Sequence, residues 1–421
     1  MKYIKKSNSG FILYCSFLVI GLLPNFIYVF FETPSLAIGL LIASVCVLLM
    51  NVGEYKALSK KAFCFVAVAS FALVLHSLYL FYVSGDKKAL SAVVLVAILF
   101  TVPFFSNVLA NLEFQEFERV LRGIIHSLSL IGWAGLIYAH FLVDSGQRIK
   151  YPFPFPEPSF FALCYGLFSV GYACVSSWRF SAYLILNLLC FSFLFPSLTF
   201  LLFAAIIFLL LGLRLRSIYF LTGVFIFPVV IFMAGYFLVA DMEYFSSRLR
   251  FSDTDNITTL VWLQGWDLSY RNLISSDWLG LGFQMLGEDT SELGELSYKL
   301  QSLTGKFMNI SSGGFLAAKI IIEFGVLGVG VSLLYFSYLV WFSLKVAFGR
   351  VFRVKNKEDF LFEKKKLILQ GVVFGYAVEF FFRGYGYFSP CLYVVVSAAL
   401  AIWKMNSYPK SSQKPISSSE F

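Results

Sequence analysis

The feature that most constrains this chain is a series of apolar runs that recurs along most of its 421 residues. A helix needs about 20 apolar residues to cross a hydrocarbon core of ~30 Å. With 59% of its residues hydrophobic, the chain is excluded from the soluble globular proteins. Only α-helices and closed barrels satisfy every backbone hydrogen bond in lipid, and these runs lack the alternation of barrel strands. The sequence therefore predicts an all-α polytopic membrane protein.

We predict about twelve membrane-spanning helices. Segments 180–195 and 197–213 are short, and Pro196 separates them. The run 313–344 is too long for one upright helix, so part of it is expected to be tilted or re-entrant. The first run follows three lysines but has no small-residue cleavage site, which favours a retained span over a signal peptide. The predicted spans are 11–31, 35–52, 62–83, 89–110, 124–143, 160–178, 180–195, 197–213, 217–239, 313–344, 367–383 and 388–403.

Lys and Arg residues concentrate on one side of the predicted bundle. The densest group lies at 345–366, and both chain ends and 53–61 add lysines to the same side. Because basic loops stay cytoplasmic, both termini are expected in the cytoplasm and the long segment 240–312 outside. The net charge of +9 is then explained by these loops and by anionic lipid, and no nucleic-acid partner is expected.

The prediction divides the chain into four parts. A nine-helix membrane region, 1–239, is followed by a large outer segment, 240–312, that contains an amphipathic helix. A three-helix membrane region, 313–403, comes next, and a disordered cytoplasmic tail, 404–421, ends the chain.

The outer segment carries five Lys and Arg against ten Asp and Glu, so it is not built to attract polyanions at long range. Apolar residues at helical spacing predict an amphipathic helix over 257–274, with Asp255 or Asn256 as its N-cap. Trp262 and Trp266, four residues apart, share one face of that helix. They are expected either at the lipid headgroups or as a platform on which sugars stack.

A proline-rich segment, 148–160, lies between the fifth and sixth spans on the outer side. Its four prolines force an extended chain, and Ser159 is expected to cap the next helix. Glu157 would then lie beside the positive end of that helix. It is either a capping acid of a rigid connector or an acid/base group at the membrane mouth.

Ionisable residues inside the apolar spans are costly and therefore mark candidate sites. Lys319 and Glu323 are four apart and can pair on one helix, and Glu379 and Arg383 repeat that spacing. These are either two self-neutralised structural pairs or part of a site. In the second case the cations Arg383, Lys319, Arg248 and Arg250 would converge on a pyrophosphate, which arginine binds bidentately.

The remaining reactive residue types give no further site. All seven cysteines lie within or beside apolar spans, which does not favour a disulfide framework. The three histidines lack metal-ligand spacing, and no nucleotide or metalloprotease motif occurs. Neither a metal nor a cofactor is expected.

Several short strings, together with the order of spans around one large outer segment, resemble the bacterial O-antigen and capsule polymerases (Wzy-type). These belong to the O-antigen polymerase and ligase superfamily. The strings are EPSFFA (157–162), GW (265–266), NLISSDWLGLGFQMLG (272–287), IIEFGVLG (321–328) and FFRGYGYFSP (381–390).

The resemblance implies a GT-C-like glycosyltransferase of the bacterial inner membrane that needs neither metal nor nucleotide sugar. Such enzymes transfer a growing glycan from undecaprenyl pyrophosphate to the terminal sugar of another lipid-linked repeat unit, at the periplasmic face. The expected partners are therefore the lipid-linked donor and acceptor oligosaccharides and the bilayer, with a chain-length regulator protein as a further candidate.

Site residues follow from the resemblance by position. Arg248 matches the arginine that opens the periplasmic loop, and this chain lacks the second arginine that many relatives carry between the positions of Arg250 and Trp262. Arg271 or Lys319 is the candidate replacement. The catalytic residues are expected among Glu323, Glu157 and Arg383, and substrate binding by Arg248, Arg250, Arg271, Lys319, Trp262, Trp266 and Tyr387.

In the chemistry expected from this assignment, Arg248 and Arg383 offset the charge of the departing pyrophosphate. Either Glu323 or Glu157 deprotonates the acceptor hydroxyl. The alternatives are an O-antigen ligase and a lipid-linked oligosaccharide flippase or other transporter. Ligases carry a histidine in the outer loop, which 240–312 lacks, and transporters usually have paired broken helices in inverted halves.

Overall fold

The computed structural model describes residues 9–52, 60–138, 152–195, 197–215, 255–287, 293–349 and 356–407. Within these ranges the regular structure is helical and contains no strand. The helices are α1 (Ser9–Phe30), α2 (Ala37–Met50), α3 (Lys60–Ser84), α4 (Ala92–Asn111), α5 (Phe114–Ile137), α6 (Pro158–Ala173), α7 (Trp178–Leu194), α8 (Leu198–Leu215), α9 (Ile257–Ser275), α10 (Glu295–Thr304), α11 (Leu316–Phe348), α12 (Lys357–Gly375), α13 (Ala377–Phe381) and α14 (Pro390–Ser407). Short 3₁₀ turns, Lys87–Ser91 and Gly386–Phe388, precede α4 and α14.

Among the described residues, six helices are long and apolar enough to cross a membrane, namely α1, α3, α4 with the turn before it, α5, α11 and α14. Four shorter apolar helices, α2, α6, α7 and α8, pack with them. The chain is thus a membrane-embedded α-helical protein by the length and composition of its helices. The predicted ninth span, 217–239, lies outside the described residues, as do 240–254 and 408–421.

Two helices begin well before the spans predicted for them. The predicted span 124–143 belongs to α5, whose first turns carry charged residues that include Glu118 and Arg122, 3.9 Å apart on the surface. The span 367–383 corresponds to the end of α12 together with α13. In both cases the charged residues that set the predicted boundary do not prevent the turns before it from being helical. The last helix, α14, runs four residues past the predicted boundary at 403.

The centre of the bundle is α6, which is buried from Phe161 to Ala173. It packs against α8 and α12, and glycines let these helices approach closely. A Cβ at Gly166 would lie 2.2 Å from the ring of Phe203, and one at Gly171 would lie 2.5 Å from the side chain of Val372. Side chains larger than hydrogen at these crossings would push the helices apart, so α6 is fixed at the axis of the molecule.

The long helix α11 is broken at Gly325, which has φ 56° and ψ −130°. Only glycine occupies that region readily, because a Cβ there collides with the backbone. The break separates a short first part, which includes Lys319 and Glu323, from a second part whose apolar side chains are largely exposed. It also explains how a run too long for one upright span is accommodated.

The loop after α9 fills this break through its own backbone. The N–H groups of Leu281 and Gly282 donate to the carbonyls of Ile322 and Glu323 at 2.9 and 2.8 Å. In return, the N–H of Val326 donates to the Trp278 carbonyl at 2.9 Å. These bonds satisfy backbone groups that the helix break leaves free. Backbone hydrogen bonds therefore fix the loop 278–287 to α11 at the break.

The predicted amphipathic helix is α9, and Asn256 caps it, as expected, by accepting from the N–H groups of Thr258 and Thr259. It packs along the first part of α11. Its buried face includes polar side chains, of which Asn272 donates to the Leu268 carbonyl at 2.8 Å and Gln264 donates to Ser297 at 2.9 Å. Together, α9 and the loop after it bring the outer segment onto the last membrane region.

Candidate functional site

Glu157 is positioned by the proline-rich segment before α6. Phe155 is fully buried, with its ring centroid 5.3 Å from that of Phe161. Pro152 presses on α5 at Gly135, where a Cβ would lie 2.6 Å from the proline ring. Because both anchors are fixed, the chain delivers Glu157 to the first turn of α6 with its side chain exposed.

The prediction that Ser159 caps α6 is wrong. Glu157 occupies the N-cap position, and Pro158, which has no N–H to satisfy, is the first helical residue. The Ser159 hydroxyl instead donates to Oε2 of Glu157 at 3.0 Å. The carboxylate therefore lies at the positive end of α6, as expected, but it makes no capping hydrogen bond to the helix.

Arg383 forms an ion pair with Glu157. Its Nη2 lies 2.6 Å from Oε2 of Glu157, although 226 positions of sequence separate the two residues. The arginine side chain is 40% exposed and the glutamate side chain 48% exposed. The pair joins the segment before α6 to the segment after α13 and is open to solvent on one side.

The predicted pair between Glu379 and Arg383 is not formed. Helix α13 ends at Phe381, and Phe382 has φ −123° and ψ −44°, so Arg383 does not lie one helical turn above Glu379. Glu379 is buried, and neither of its carboxylate oxygens has a hydrogen bond of standard geometry among the described residues. The Ser389 hydroxyl and the N–H of Tyr385 face it.

The expected pair between Lys319 and Glu323 is present, with Nζ 3.6 Å from Oε1. Unlike the pair of Glu157 and Arg383, this pair is enclosed, since Glu323 is 0% exposed. The ammonium group also donates to Oε1 of Gln284 at 2.9 Å and to the Ser311 carbonyl at 3.3 Å. The Lys319 ammonium is thus surrounded by acceptors from the outer segment as well as from its own helix.

Tyr387 completes this enclosed cluster. Its hydroxyl donates to Oε2 of Glu323 at 2.7 Å, and the Lys319 Nζ lies 5.3 Å from the centre of its ring. Tyr387 lies between the last two predicted spans, and burial raises its pKa well above the ordinary value of 10, with the Glu323 carboxylate raising it further. The phenol therefore stays protonated and acts as a donor.

The segment 383–387 connects the two carboxylates. Arg383 at one end pairs with Glu157, and Tyr387 at the other end bonds to Glu323. Between them the N–H of Gly384 donates to the Gly314 carbonyl at 3.4 Å. Five consecutive residues thus link the exposed pair to the enclosed cluster.

The two tryptophans share one face of α9, as predicted, with ring centroids 6.3 Å apart. Trp266 packs against Phe315 at 5.0 Å between ring centroids. Trp262 donates from Nε1 to the Phe381 carbonyl at 3.0 Å and remains partly exposed. Trp266 therefore packs inside the protein, whereas Trp262 is partly exposed.

Of the predicted arginines that the structure describes, Arg383 belongs to the exposed pair, whereas Arg271 lies apart from both clusters. Arg271 pairs with Asp267 on an exposed face of α9, with Nε 3.0 Å from Oδ1. The two residues line a shallow depression together with Tyr270, Ile274 and Ser275. Arg248 and Arg250 lie outside the described residues.

Two further residues, Gln284 and Phe382, contribute to the arrangement without having been predicted. Gln284 is the only polar side chain between Asp277 and Gly287, a signal that points to an internal partner. Phe382 differs from Phe381 in no way that sequence reveals, because its exposure depends on where α13 ends.

No three side chains of His, Cys, Asp or Glu come together as a metal site in the part of the chain that the structure describes. Comparison of the chain with protein-family models, with curated proteins and with solved structures gives no match.

Proposed function

We propose that this protein is a polysaccharide polymerase of the bacterial inner membrane. It transfers a growing glycan from undecaprenyl pyrophosphate to the terminal sugar of a second lipid-linked repeat unit. In this proposal the chain has twelve spans, both termini lie in the cytoplasm, and 240–312 lies in the periplasm. No cofactor takes part, and a chain-length regulator is a candidate partner.

The observation that carries the proposal is the exposed pair of Glu157 and Arg383. It is the point where three separate parts of the chain meet: the proline-rich segment, the end of α13, and α9 of the outer segment through Trp262. A carboxylate beside a guanidinium at the end of an apolar bundle provides a base and an anion-binding group. These are the two groups that glycan transfer from a pyrophosphate requires.

The reaction can be written with these residues. Arg383 releases Glu157 and binds the pyrophosphate of the donor, which offsets the charge that develops as this group departs. Glu157 accepts the proton of the acceptor hydroxyl. The hydroxyl oxygen bonds to the anomeric carbon of the donor, the bond from that carbon to the phosphate oxygen breaks, and undecaprenyl pyrophosphate leaves.

Of the two expected bases, the geometry favours Glu157. Glu323 is fully enclosed by Lys319, Tyr387 and the loop that contains Gln284, so an acceptor hydroxyl has no route to it in this conformation. Glu157 lies at the surface within hydrogen-bond reach of Arg383. We therefore assign the enclosed cluster to positioning and the open pair to chemistry. Arg248 and Arg250 stay candidates for pyrophosphate binding on the resemblance alone.

The test is to delete the gene in the source bacterium and resolve the surface glycan by size on a gel. The deletion strain is complemented with wild type, Arg383→Ala, Glu157→Gln or the control Arg122→Ala, which removes an exposed arginine from a different ion pair. We expect a core with a single repeat unit in the deletion strain and in the first two variants. Wild type and the control should restore the ladder, with all variants at equal abundance in the membrane.

Other outcomes would contradict the proposal in distinct ways. Bare core with long chains retained on the lipid carrier would identify a ligase. Bare core with no outward-facing repeat unit would identify a flippase. An unchanged ladder in the deletion strain would remove the protein from glycan assembly, and a normal ladder in Arg383→Ala would remove that residue from the site.

A further inference from the structure

Two exposed aromatic rings lie beside the pair of Glu157 and Arg383. Phe382, which immediately precedes Arg383, is 48% exposed, and Trp262 of α9 is 36% exposed. Their ring planes are parallel to within 10°, with centroids 6.4 Å apart. Exposed aromatic residues are common in an apolar helical bundle. Trp262 and Phe382 differ because they adjoin an exposed ion pair, so flat apolar surface lies beside charged hydrogen-bonding groups.

The ring of Trp262 is held rigidly. Its one donor, Nε1, is already bonded to the Phe381 carbonyl at 3.0 Å, and its edge contacts Trp266, which is itself packed against Phe315. Tryptophans at a membrane surface commonly keep the polar end of the ring in the headgroup region. In Trp262 that end is used inside the protein, and 36% of the residue is still exposed.

A hexose ring offers matching chemistry. One face of many pyranoses carries only C–H groups, which pack on an aromatic ring, while the rim carries hydroxyls. Carboxylate oxygens accept from such hydroxyls, and a guanidinium provides five N–H donors in a fixed plane. Trp262 and Phe382 provide aromatic rings on which the C–H face can pack. Glu157 and Arg383, the residue that follows Phe382, provide hydrogen-bonding partners for the hydroxyls.

We propose that Trp262 and Phe382 form a subsite for the terminal sugar ring of the acceptor glycan. This inference rests on the proposed function, in which that sugar supplies the attacking hydroxyl. The donor is oriented by its charged pyrophosphate and its lipid, whereas the attacking sugar of the acceptor lies at the end of the glycan away from its own pyrophosphate. Stacking on fixed rings orients the sugar so that one hydroxyl faces Glu157, and such orientation lowers the barrier to transfer.

The first experiment measures binding apart from catalysis. The probe is the repeat-unit oligosaccharide released from its lipid by mild acid, and the protein is the full chain in phospholipid nanodiscs. Saturation-transfer NMR reports the affinity for wild type, Phe382→Ala, Phe382→Tyr and Tyr270→Ala. The last variant removes another exposed aromatic from α9, and its ring is 67% exposed.

We expect Phe382→Ala to weaken binding of the oligosaccharide about tenfold, since loss of a stacked aromatic face corresponds to about 1.4 kcal/mol. Phe382→Tyr should bind within about twofold of wild type because the ring is retained, and Tyr270→Ala should be unchanged. Trp262→Phe serves as a second variant: it keeps an aromatic face but removes the Nε1 donor, so an intermediate loss is expected.

The second experiment measures polymerisation of lipid-linked repeat units, with the delipidated oligosaccharide as competing acceptor. Its inhibition constant should rise about tenfold in Phe382→Ala, and the maximal rate should fall as well, because the acceptor sugar is no longer oriented toward Glu157. Equal inhibition constants in wild type and Phe382→Ala would show that the rings only contact lipid and would overturn the subsite.

The two proposals fail differently. A wild-type protein that polymerises while Phe382→Ala binds normally refutes the subsite alone. A wild-type protein that binds the oligosaccharide through Phe382 but forms no polymer refutes the polymerase and keeps a glycan-binding site. Absence of both binding and polymer refutes both.

Discussion

Glu157 and Glu323 are both carboxylates with a cation opposite, yet their surroundings differ. Water reaches Glu157 and Arg383, so this pair can separate at low cost, as a catalytic pair must. Glu323 has a bonded phenol, a nearby ammonium and no exposure. Separating buried charges is costly, so this second cluster holds structure in place.

For single residues in the enclosed cluster, we predict that Tyr387→Phe destabilises the protein. The substitution keeps the ring but removes the donor to the buried Glu323 carboxylate, a loss of about 1.5–3 kcal/mol for a bond to a charged group. The matched control is Tyr393→Phe, which removes a buried hydroxyl bonded only to the neutral Thr101. Thermal unfolding in detergent should give the larger decrease in Tm for Tyr387→Phe. Equal decreases would mean that Glu323 is neutral in the folded protein.

A double-mutant cycle on Lys319 and Glu323 separates positioning from substrate binding. Lys319→Met alone leaves a buried carboxylate without its cation and should cost about 3–5 kcal/mol. The double variant Lys319→Met with Glu323→Gln should recover much of that stability and should retain polymerisation, measured as ladder length. A stable double variant that forms no polymer would show that Lys319 or Glu323 takes part in the reaction itself.

Spacing along the sequence predicts these contacts only where they are local. The pair of Lys319 and Glu323 lies within one helical turn, so the helix alone brings the two together. Arg383 had two possible acids, Glu379 one turn before it and Glu157, 226 positions away. The choice depends on α13 ending at Phe381, which no local pattern in FFRGYGYF indicates.

At the scale of elements, the break in α11 is the feature that assembles the candidate site. The strings 272–287 and 321–328 of the family resemblance meet there, and they meet through backbone atoms. A Cβ at Gly280 would lie 2.5 Å from the backbone nitrogen of Gly325. The glycines in these strings therefore have a packing role, distinct from nucleotide binding.

Gly325→Ala tests this role. Its Cβ would lie 2.0 Å from the Trp278 carbonyl oxygen, and its φ of 56° is unfavourable for alanine, so we expect a loss of more than about 3 kcal/mol. Gly330→Ala, in the same helix with nothing within 4 Å of its Cβ, should instead stabilise by about 0.5–1 kcal/mol.

The readouts for this pair are thermal unfolding and limited proteolysis of the loop 278–287. A displaced loop should be cut faster in Gly325→Ala only. If both glycine variants unfold alike and resist protease alike, the docking of the loop does not depend on the break.

Long apolar runs predicted α1 to α4, and apolar residues at helical spacing predicted α9. The prediction was less accurate at the starts of α5 and α12. There the charged residues do not end the helix, because a helix continues past the end of an apolar run. The break at Gly325 was not predictable because its hydrogen-bond partners come from a segment about 40 residues earlier.

For the whole molecule, the orientation in the membrane is a prediction from the distribution of basic residues. It places α10 outside and the start of α12 inside. These ends carry exposed residues, Ser302 and Lys357, that can be labelled without disturbing the bundle.

The test uses a variant without native cysteines, into which Ser302→Cys or Lys357→Cys is introduced. A membrane-impermeant maleimide added to spheroplasts should label the first and reach the second only after permeabilisation. The reverse pattern would place the candidate site in the cytoplasm and exclude a periplasmic polymerase.

The docking of the loop 278–287 onto α11 has a consequence for exchanging parts between proteins of this kind. Main-chain groups make most of the hydrogen bonds of this contact, and glycine is needed at 280, 282 and 325, while Gln284 adds a side-chain bond to Lys319 and Phe283 is buried. We therefore expect that an outer segment from another chain can be transplanted only together with its whole loop, including these glycines, Phe283 and Gln284. Grafts whose junctions fall inside 278–287 should fail to insert correctly, whereas junctions on either side should give hybrids whose donor and acceptor preferences travel with the transplanted segment.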